Sequence, residues 1–215
     1  MLQEMTAYDA FTNLEHAPRQ IDVEAANRLR LRLLGEAPEA VLEICQNAGH
    51  LSLFLAAVLK DQGKGSLTTF QKKPTSQSDK IARQLSELNL TEVVSFLPSG
   101  RSYTWALQRL ISQNPRPKFD VVVLNGNKTW DAVGFSALLA DMLLRQGGLL
   151  VVLDTDWAMA TSPYFRDRPE ITQKYSDDEF RSQPVSLVQQ LIAPHLGYVQ
   201  IDASELGATS LLRKS

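Results

Sequence analysis

The stretch AVLEICQNAGHLSLFLAAVL, residues 40–59, joins an apolar run, an acidic residue, a short polar turn and an apolar helical pattern. A strand-to-helix turn of this kind presents free backbone N–H groups to a nucleotide-like ligand. Such turns use glycine where the ligand lies against the backbone. Here Cys45 stands at the first of those positions, and a glycine comes only at Gly49. Three readings of Cys45 are open: a small buried residue absorbed by a local shift, a side chain that crowds the ligand out, or a reactive thiol. The last is the weakest, because no His or Lys adjoins Cys45 in sequence to lower its pKa. His50, just past Gly49, reads as a helix-start residue, and His16 and His195 lie outside any motif. Trp130, Trp157, Tyr164 and Phe165 follow the fourth and fifth predicted strands, where open α/β sheets bind ligands. They could wall a pocket, although ordinary packing explains Trp130 equally well.

Composition narrows the classes. The chain has 215 residues, 44% hydrophobic and 21% charged, which suits one α/β domain with a buried core. The net charge of -2 and the lack of a long Lys/Arg run argue against nucleic acid as the main partner. A single cysteine leaves no internal disulfide and no zinc site. The start MLQEMTAYDAFTNLEHAPR has no apolar core flanked by basic residues, so no secretory signal is expected. No apolar run approaches the ~20 residues of a membrane span. A cytoplasmic protein without membrane contact is the expectation.

These residues need strands and helices to hold them. Asp22 is placed to cap the helical pattern VEAANRLRLRLL, and Gly35 to end it. From Pro38 onward, strand candidates fall at 40–45, 66–71, 92–98, 119–126 and 149–154. Four of them are nearly continuous apolar runs, as strands buried on both faces of a parallel sheet require. Helical patterns separate them, with Gly63 and Gly65, then Gly147 and Gly148, where helices stop and strands begin. The alternation implies right-handed βαβ units and a doubly wound sheet. The segment 155–183 reads as a long polar loop with a short helix. After a helix around VSLVQQLIAPHL, GYVQIDAS and ATSLLRKS form two short strands joined by a turn, so the last strand runs antiparallel. The expected organisation is one domain, 1–215, with an N-terminal helical segment at 1–37 and a core at 38–214.

This order resembles the class I S-adenosylmethionine-dependent methyltransferases, over residues 38–214. It is most similar to the small-molecule O-methyltransferases of the catechol and caffeoyl-CoA type and to related bacterial members. The resemblance implies a Rossmann-like, doubly wound, seven-stranded α/β sheet with a C-terminal antiparallel β-hairpin. It rests on VLEICQNAGHLSLFLA, on KFDVVVLNGNKTWDAV, and on LLRQGGLLVVLD at a fixed distance from it. It also implies S-adenosylmethionine as cofactor, with S-adenosylhomocysteine as product. The cofactor would be met by Glu43, Cys45, Gln46, Asn47 and Gly49 of the first turn. Gln71 would face the ribose, Ser99 and Gly100 the adenine, and Asn125 the end of the fourth strand. Lys128 would be the general base, with Asp154 beside it.

Several positions depart from the family pattern. Cys45 replaces a glycine. Gln71 replaces the Asp or Glu that usually binds the ribose; a charged hydrogen bond contributes roughly 1.5–3 kcal/mol against about 1 for a neutral one. Ser99 and Gly100 replace an acidic residue, and Ser99 also reads as a plain turn residue. Asn125 replaces the Asp ligand of the metal-dependent branch, leaving Asp154, followed by Thr155, as one clear carboxylate. Magnesium needs more negative charge than that, so a metal is not expected. Lys128 retains an alternative reading as an exposed strand-end lysine.

Two functional readings stand foremost. One is a methyltransferase acting on a small-molecule acceptor, with transfer to oxygen; the resemblance also implies a homodimer. The other is a non-catalytic or repurposed member of the fold that binds a ligand or partner. A nicotinamide-dependent oxidoreductase fits poorly, because EICQNAG lacks the G-x-G-x-x-G turn that a pyrophosphate requires.

Overall fold

A computed structural model describes residues 6–13, 23–72, 76–201 and 204–215. Asp22 and His16 lie outside the described residues. The apolar runs form β1 (Ala40–Cys45), β2 (Ser66–Gln71), β3 (Val94–Pro98), β4 (Phe119–Asn125) and β5 (Leu144–Leu153), followed by β6 (Tyr198–Ile201) and β7 (Thr209–Lys214). They make one sheet in the order β3-β2-β1-β4-β5-β7-β6. The first five strands are parallel, and β7 runs antiparallel between β5 and β6. This is the doubly wound, seven-stranded sheet with a terminal antiparallel hairpin that the resemblance implies.

Alternation along the buried strands divides the core into two layers. Val41, Val121, Val123 and Val151 pack beneath α1 (Ala7–Thr12), α2 (Val23–Glu36), α3 (His50–Gln62) and α4 (Ser76–Glu87). Leu42, Ile44, Val122, Leu124 and Val152 face α5 (Tyr103–Ile111), α6 (Trp130–Leu143) and the helical stretch 184–195. The strand order reverses between β1 and β4, and the crevice at such a switch point is where doubly wound sheets bind ligands. Cys45 and Asn125, the last residues of those two strands, are paired across it.

Some boundaries differ from expectation for physical reasons. α2 does not stop at Gly35 but runs through it to Glu36. The stop is Ala37 in the left-handed region (φ 46°), whose N–H donates to the Leu33 and Leu34 carbonyls. The added residue is Glu36, which accepts from both terminal guanidinium nitrogens of Arg213 on β7 at 2.7 and 2.5 Å. Gly147 and Gly148 do not separate helix from strand. β5 begins at Leu144, against Phe119, and the glycines sit in a register shift before Leu149 pairs with Val121. A Cβ on Gly148 would meet the Leu144 side chain at 2.7 Å, so this bulge requires glycine.

The segment after β5 is a chain of short helical turns at Met159–Thr161, Pro163–Arg166, Pro169–Thr172 and Asp177–Arg181 rather than a loop with one helix. Prolines begin two of these turns, where their missing N–H is no loss. The stretch 184–195 carries a π-helical turn at Val188–Ile192 immediately before Pro194, which has no N–H to continue an α-helical ladder. Among the described residues no helix is long and apolar enough to cross a membrane.

Candidate functional site

The carboxyl end of β1 is organised around a buried charge. Glu43 is fully buried, and its carboxylate accepts three hydrogen bonds. Ser52 Oγ and Thr69 Oγ1 donate to Oε2 at 2.5 and 2.7 Å, and Asn125 Nδ2 donates to Oε1 at 3.1 Å. Burial raises the Glu43 pKa, and the three donors oppose that shift. Ser52 in turn accepts from the Gly49 N–H at 3.0 Å, so the carboxylate fixes the start of α3. One buried group thus links β1, β2, β4 and α3.

Cys45 joins the same network. Its sulfur lies 3.3 Å from Thr69 Oγ1 and is 2% exposed. Thr69 has one hydroxyl proton and directs it to Glu43, so Cys45 is the donor to Thr69. Burial and then the neighbouring Glu43 charge push the thiol well above its ordinary range. Cys45 does not have the positive φ that glycine would serve. The sequence left open whether this side chain crowds a ligand; here it is turned into the protein, toward β2.

Two clefts open above this floor. One, of about 390 Å³, is bounded by Gln46, Lys72, Arg101, Tyr103 and Asn127. The other, of about 640 Å³, is bounded by Lys128, Trp157, Tyr164, Phe165 and Tyr175. Gln46, Asn127 and Asp131 line both, so the two spaces meet beside the switch point.

On the wall of the larger cleft, Lys128 reaches behind the lining to Asp154: Nζ lies 2.7 Å from Oδ2, with side chains 15% and 22% exposed. Asp154 holds a left-handed backbone (φ 57°), a conformation that concentrates at functional positions. The turn is held because its carbonyl accepts from the Trp157 N–H at 3.0 Å and the Thr155 N–H donates to Ala208 at 2.9 Å. Phe165 is the centre of the aromatic wall, with ring centroids 5.8, 5.1 and 6.3 Å from those of Trp157, Tyr164 and Tyr175. Trp130 stands apart from this group, part-exposed at the start of α6.

Of the expected cofactor residues Gln46 lines the smaller cleft, while Asn47, Gln71 and Gly100 are chain neighbours of its lining residues Gln46, Lys72 and Arg101. The Asn47 side-chain oxygen accepts from the Lys72 N–H at 3.0 Å, tying the first turn to the end of β2. Gln71 ends β2, and its carbonyl accepts from the Ser99 N–H at 3.0 Å. Ser99 is buried, with its hydroxyl unpartnered among the described residues. A Cβ added to Gly49 or Gly100 would meet nothing within 4 Å, so the backbone there is open. His50 is the first residue of α3, and His195 ends the last helical turn. Among the described residues no cluster of three or more His, Cys, Asp or Glu is placed to hold a metal ion.

Sequence reasoning missed Tyr103, Asn127 and Asp131. The Tyr103 hydroxyl accepts from the Asn127 N–H at 3.0 Å and fills the space where a Cβ on Gly126 would stand, 2.6 Å away. The only available signal was Gly126 itself, a glycine ending a buried strand beside NK.

The comparisons agree with this architecture. A family model described as a methyltransferase domain matches residues 42–155, from β1 through Thr155. Among curated proteins no sequence matches the chain. Solved structures do. The O-methyltransferase TomG from Streptomyces achromogenes, in complex with S-adenosylmethionine, is 18% identical, with TM-score 0.61 over 97% of this chain and 88% of its own. An O-methyltransferase from Bacillus cereus in complex with S-adenosylhomocysteine is 17% identical, with TM-score 0.61 over 100% and 93%. The Podospora anserina methyltransferase PaMTH1, bound to S-adenosylhomocysteine, is 11% identical, with TM-score 0.61 over 97% and 86%. With more than half of its length matched by the family model, and with a sheet order and terminal hairpin of the same kind, the chain belongs to the methyltransferase-domain family.

Proposed function

We propose that the protein is an S-adenosylmethionine-dependent methyltransferase that methylates a small-molecule acceptor at oxygen. The observation that carries this reading is the meeting of two clefts at Gln46, Asn127 and Asp131, with Lys128, paired to Asp154, on the wall of the larger one. A donor in the smaller cleft and an acceptor in the larger would be brought together there, which converts a bimolecular encounter into a positioned one.

The smaller cleft suits a nucleoside. Open backbone at Gly49 and Gly100 allows close approach, and the buried Ser99 hydroxyl lacks a partner among the described residues. Gln46 and Asn127 would hold the donor at the junction, with Gln71, Ser99 and Gly100 toward the nucleoside end. When bound, S-adenosylmethionine supplies an electrophilic methyl group on a sulfonium. The cofactors named for the Streptomyces and Bacillus structures support this choice.

The acceptor must lose its hydroxyl proton as the new C–O bond forms. Lys128 already donates to Asp154, so within the pair the carboxylate has lone pairs to take that proton, and the ammonium steadies the oxygen left behind. The Phe165-centred aromatics close the far wall and would set acceptor shape. Glu43 does not reach the reactants; through Ser52 and Gly49 it holds the turn beneath them.

Calorimetric titration with S-adenosylmethionine and S-adenosylhomocysteine tests the cofactor, followed by transfer of labelled methyl to a panel of hydroxyl compounds. Binding of both, with transfer lost in Lys128→Met, is the expected result. Failure of the native chain to bind either molecule would overturn the assignment.

A further inference from the structure

The smaller cleft carries a charge pattern that methyl transfer does not use. Lys72 directly follows Gln71 at the carboxyl end of β2, and Arg101 lies three residues beyond Pro98 at the end of β3. Gln71 and Pro98 are register partners, so the two cations rise from adjacent strand ends. Both line the cleft, together with Ser102, Tyr103 and Thr104. Among the described residues neither Lys72 nor Arg101 is in an ion pair, whereas Lys64, Lys128, Arg145 and Arg213 all are. The carboxylate lining this cleft is Asp131, on α6 across from them.

The loop between the cations and α5 adds to the pattern. Ser102 is the residue before α5, but its side chain caps no helix N–H, and the first turn holds no acidic residue. The nine-residue helix therefore turns an uncompensated positive end to the same cleft. Two cations outside any ion pair among the described residues and a helix N-terminus on one cavity make an oxyanion site.

The place of the cations indicates which anion. In Rossmann-type sheets, an acidic residue at the end of the second strand accepts from the ribose hydroxyls and repels a ribose phosphate. A cation nearby instead admits the phosphate. Here the strand ends in neutral Gln71 with Lys72 next to it. We infer that this cleft binds an adenine nucleotide bearing a phosphate monoester on its ribose, with the phosphate between Lys72 and Arg101. The inference rests on the reading of this cleft as the nucleoside site, and it makes the nucleotide and the methyl donor mutually exclusive.

The test is calorimetric titration of the full chain with adenosine, adenosine 2′-monophosphate, adenosine 3′-monophosphate and inorganic phosphate, with S-adenosylhomocysteine as competitor. One of the monophosphates is expected to bind at least about ten-fold more tightly than adenosine, the effect of one or more charge-assisted hydrogen bonds. That preference should disappear in Lys72→Ala/Arg101→Ala and shrink in the native chain as salt is raised. Equal binding of adenosine and both monophosphates, or binding of none of them, overturns the inference. Inorganic phosphate binding as tightly as the nucleotides also overturns it, because the ribose would then contribute nothing. S-adenosylhomocysteine separates the two proposals: a monophosphate that binds where S-adenosylhomocysteine does not would sustain the phosphate site and sink the methyltransferase reading.

Discussion

The Asn125 side-chain amide donates to the Glu43 carboxylate across 3.1 Å, joining the ends of β4 and β1 at the switch point of the sheet. Asp would fit the same space but would face a buried carboxylate with a second negative charge and no proton to donate. Asn125→Asp should therefore destabilise the protein by about 2–3 kcal/mol at pH 8. At pH 5 much of that loss should be recovered, as the two carboxyls share a proton. Urea denaturation at the two pH values measures both quantities, and equal stability of variant and native chain at pH 8 would remove the proposed role of the amide.

Glu43 itself should leave a signature in the pH dependence of stability. Burial raises its folded pKa above the unfolded value of 4.5, so above pH 4.5 the native state holds a proton that the unfolded chain gives up. Stability from this group is present in full below pH 4.5 and is lost as pH rises toward the folded pKa. Glu36 and Asp120 act oppositely: their pKa values are lowered, and their contribution disappears only on acidification. Glu43→Gln removes the first effect and keeps the others. The difference in unfolding free energy, native minus variant, is expected to fall steadily from pH 4.5 upward; a flat difference would mean that Glu43 ionises as freely in the folded chain as in the unfolded one.

Asp154 combines a charge with an unusual backbone, and substitutions can separate the two. Asn tolerates the left-handed region better than other side chains that bear a Cβ. Asp154→Asn should thus leave the melting temperature nearly unchanged while slowing methyl transfer by about 10²–10⁴-fold, the range for a lost acid–base group. Asp154→Ala should slow transfer similarly and also lower stability by about 1 kcal/mol, because alanine is strained at a φ of 57°. Single-turnover transfer beside a thermal melt reads both. If Asp154→Asn transfers methyl at the native rate, the pair has no part in the chemistry.

Much of the frame was legible because continuous runs such as VVVL and LLVVL have one stable home, the middle of a parallel sheet. Glu43, Asn125, Lys128 and Asp154 were legible as motif positions, and the structure brings all four to the ends of β1, β4 and β5. What could not be read depends on pairing between distant segments. α2 continues past Gly35 because Glu36 meets Arg213, 177 residues away. Tyr103, Asn127 and Asp131 become neighbours only once α5 and α6 lie side by side on the sheet. The direction in which Cys45 points was likewise undecidable until Thr69 of the adjacent strand was placed against it.

The Phe165 ring touches three other aromatic rings in the larger cleft, so its removal should loosen the wall without reaching the smaller one. Phe165→Ala is expected to raise the acceptor KM by about ten-fold, the effect of one or two kcal/mol of lost aromatic contact. Affinity for S-adenosylhomocysteine should be unchanged. A variant that lost both equally would show that the two clefts are not separate binding surfaces.

The buried thiol gives a last, inexpensive test of how the first turn is built. Cys45 is turned inward, its proton is engaged by Thr69, and burial beside Glu43 disfavours the thiolate. Thiolate is the reactive form, so an aromatic disulfide reagent at pH 8 should leave Cys45 unlabelled over hours in the native chain. In denaturant it should label within minutes, with one equivalent per chain because Cys45 is the only cysteine. S-adenosylhomocysteine should not alter the native result, since no cofactor is needed to shield a side chain that points away from the cleft. Rapid native labelling that S-adenosylhomocysteine blocks would instead place the sulfur on the cofactor surface, and the inward orientation of Cys45 would have to be abandoned.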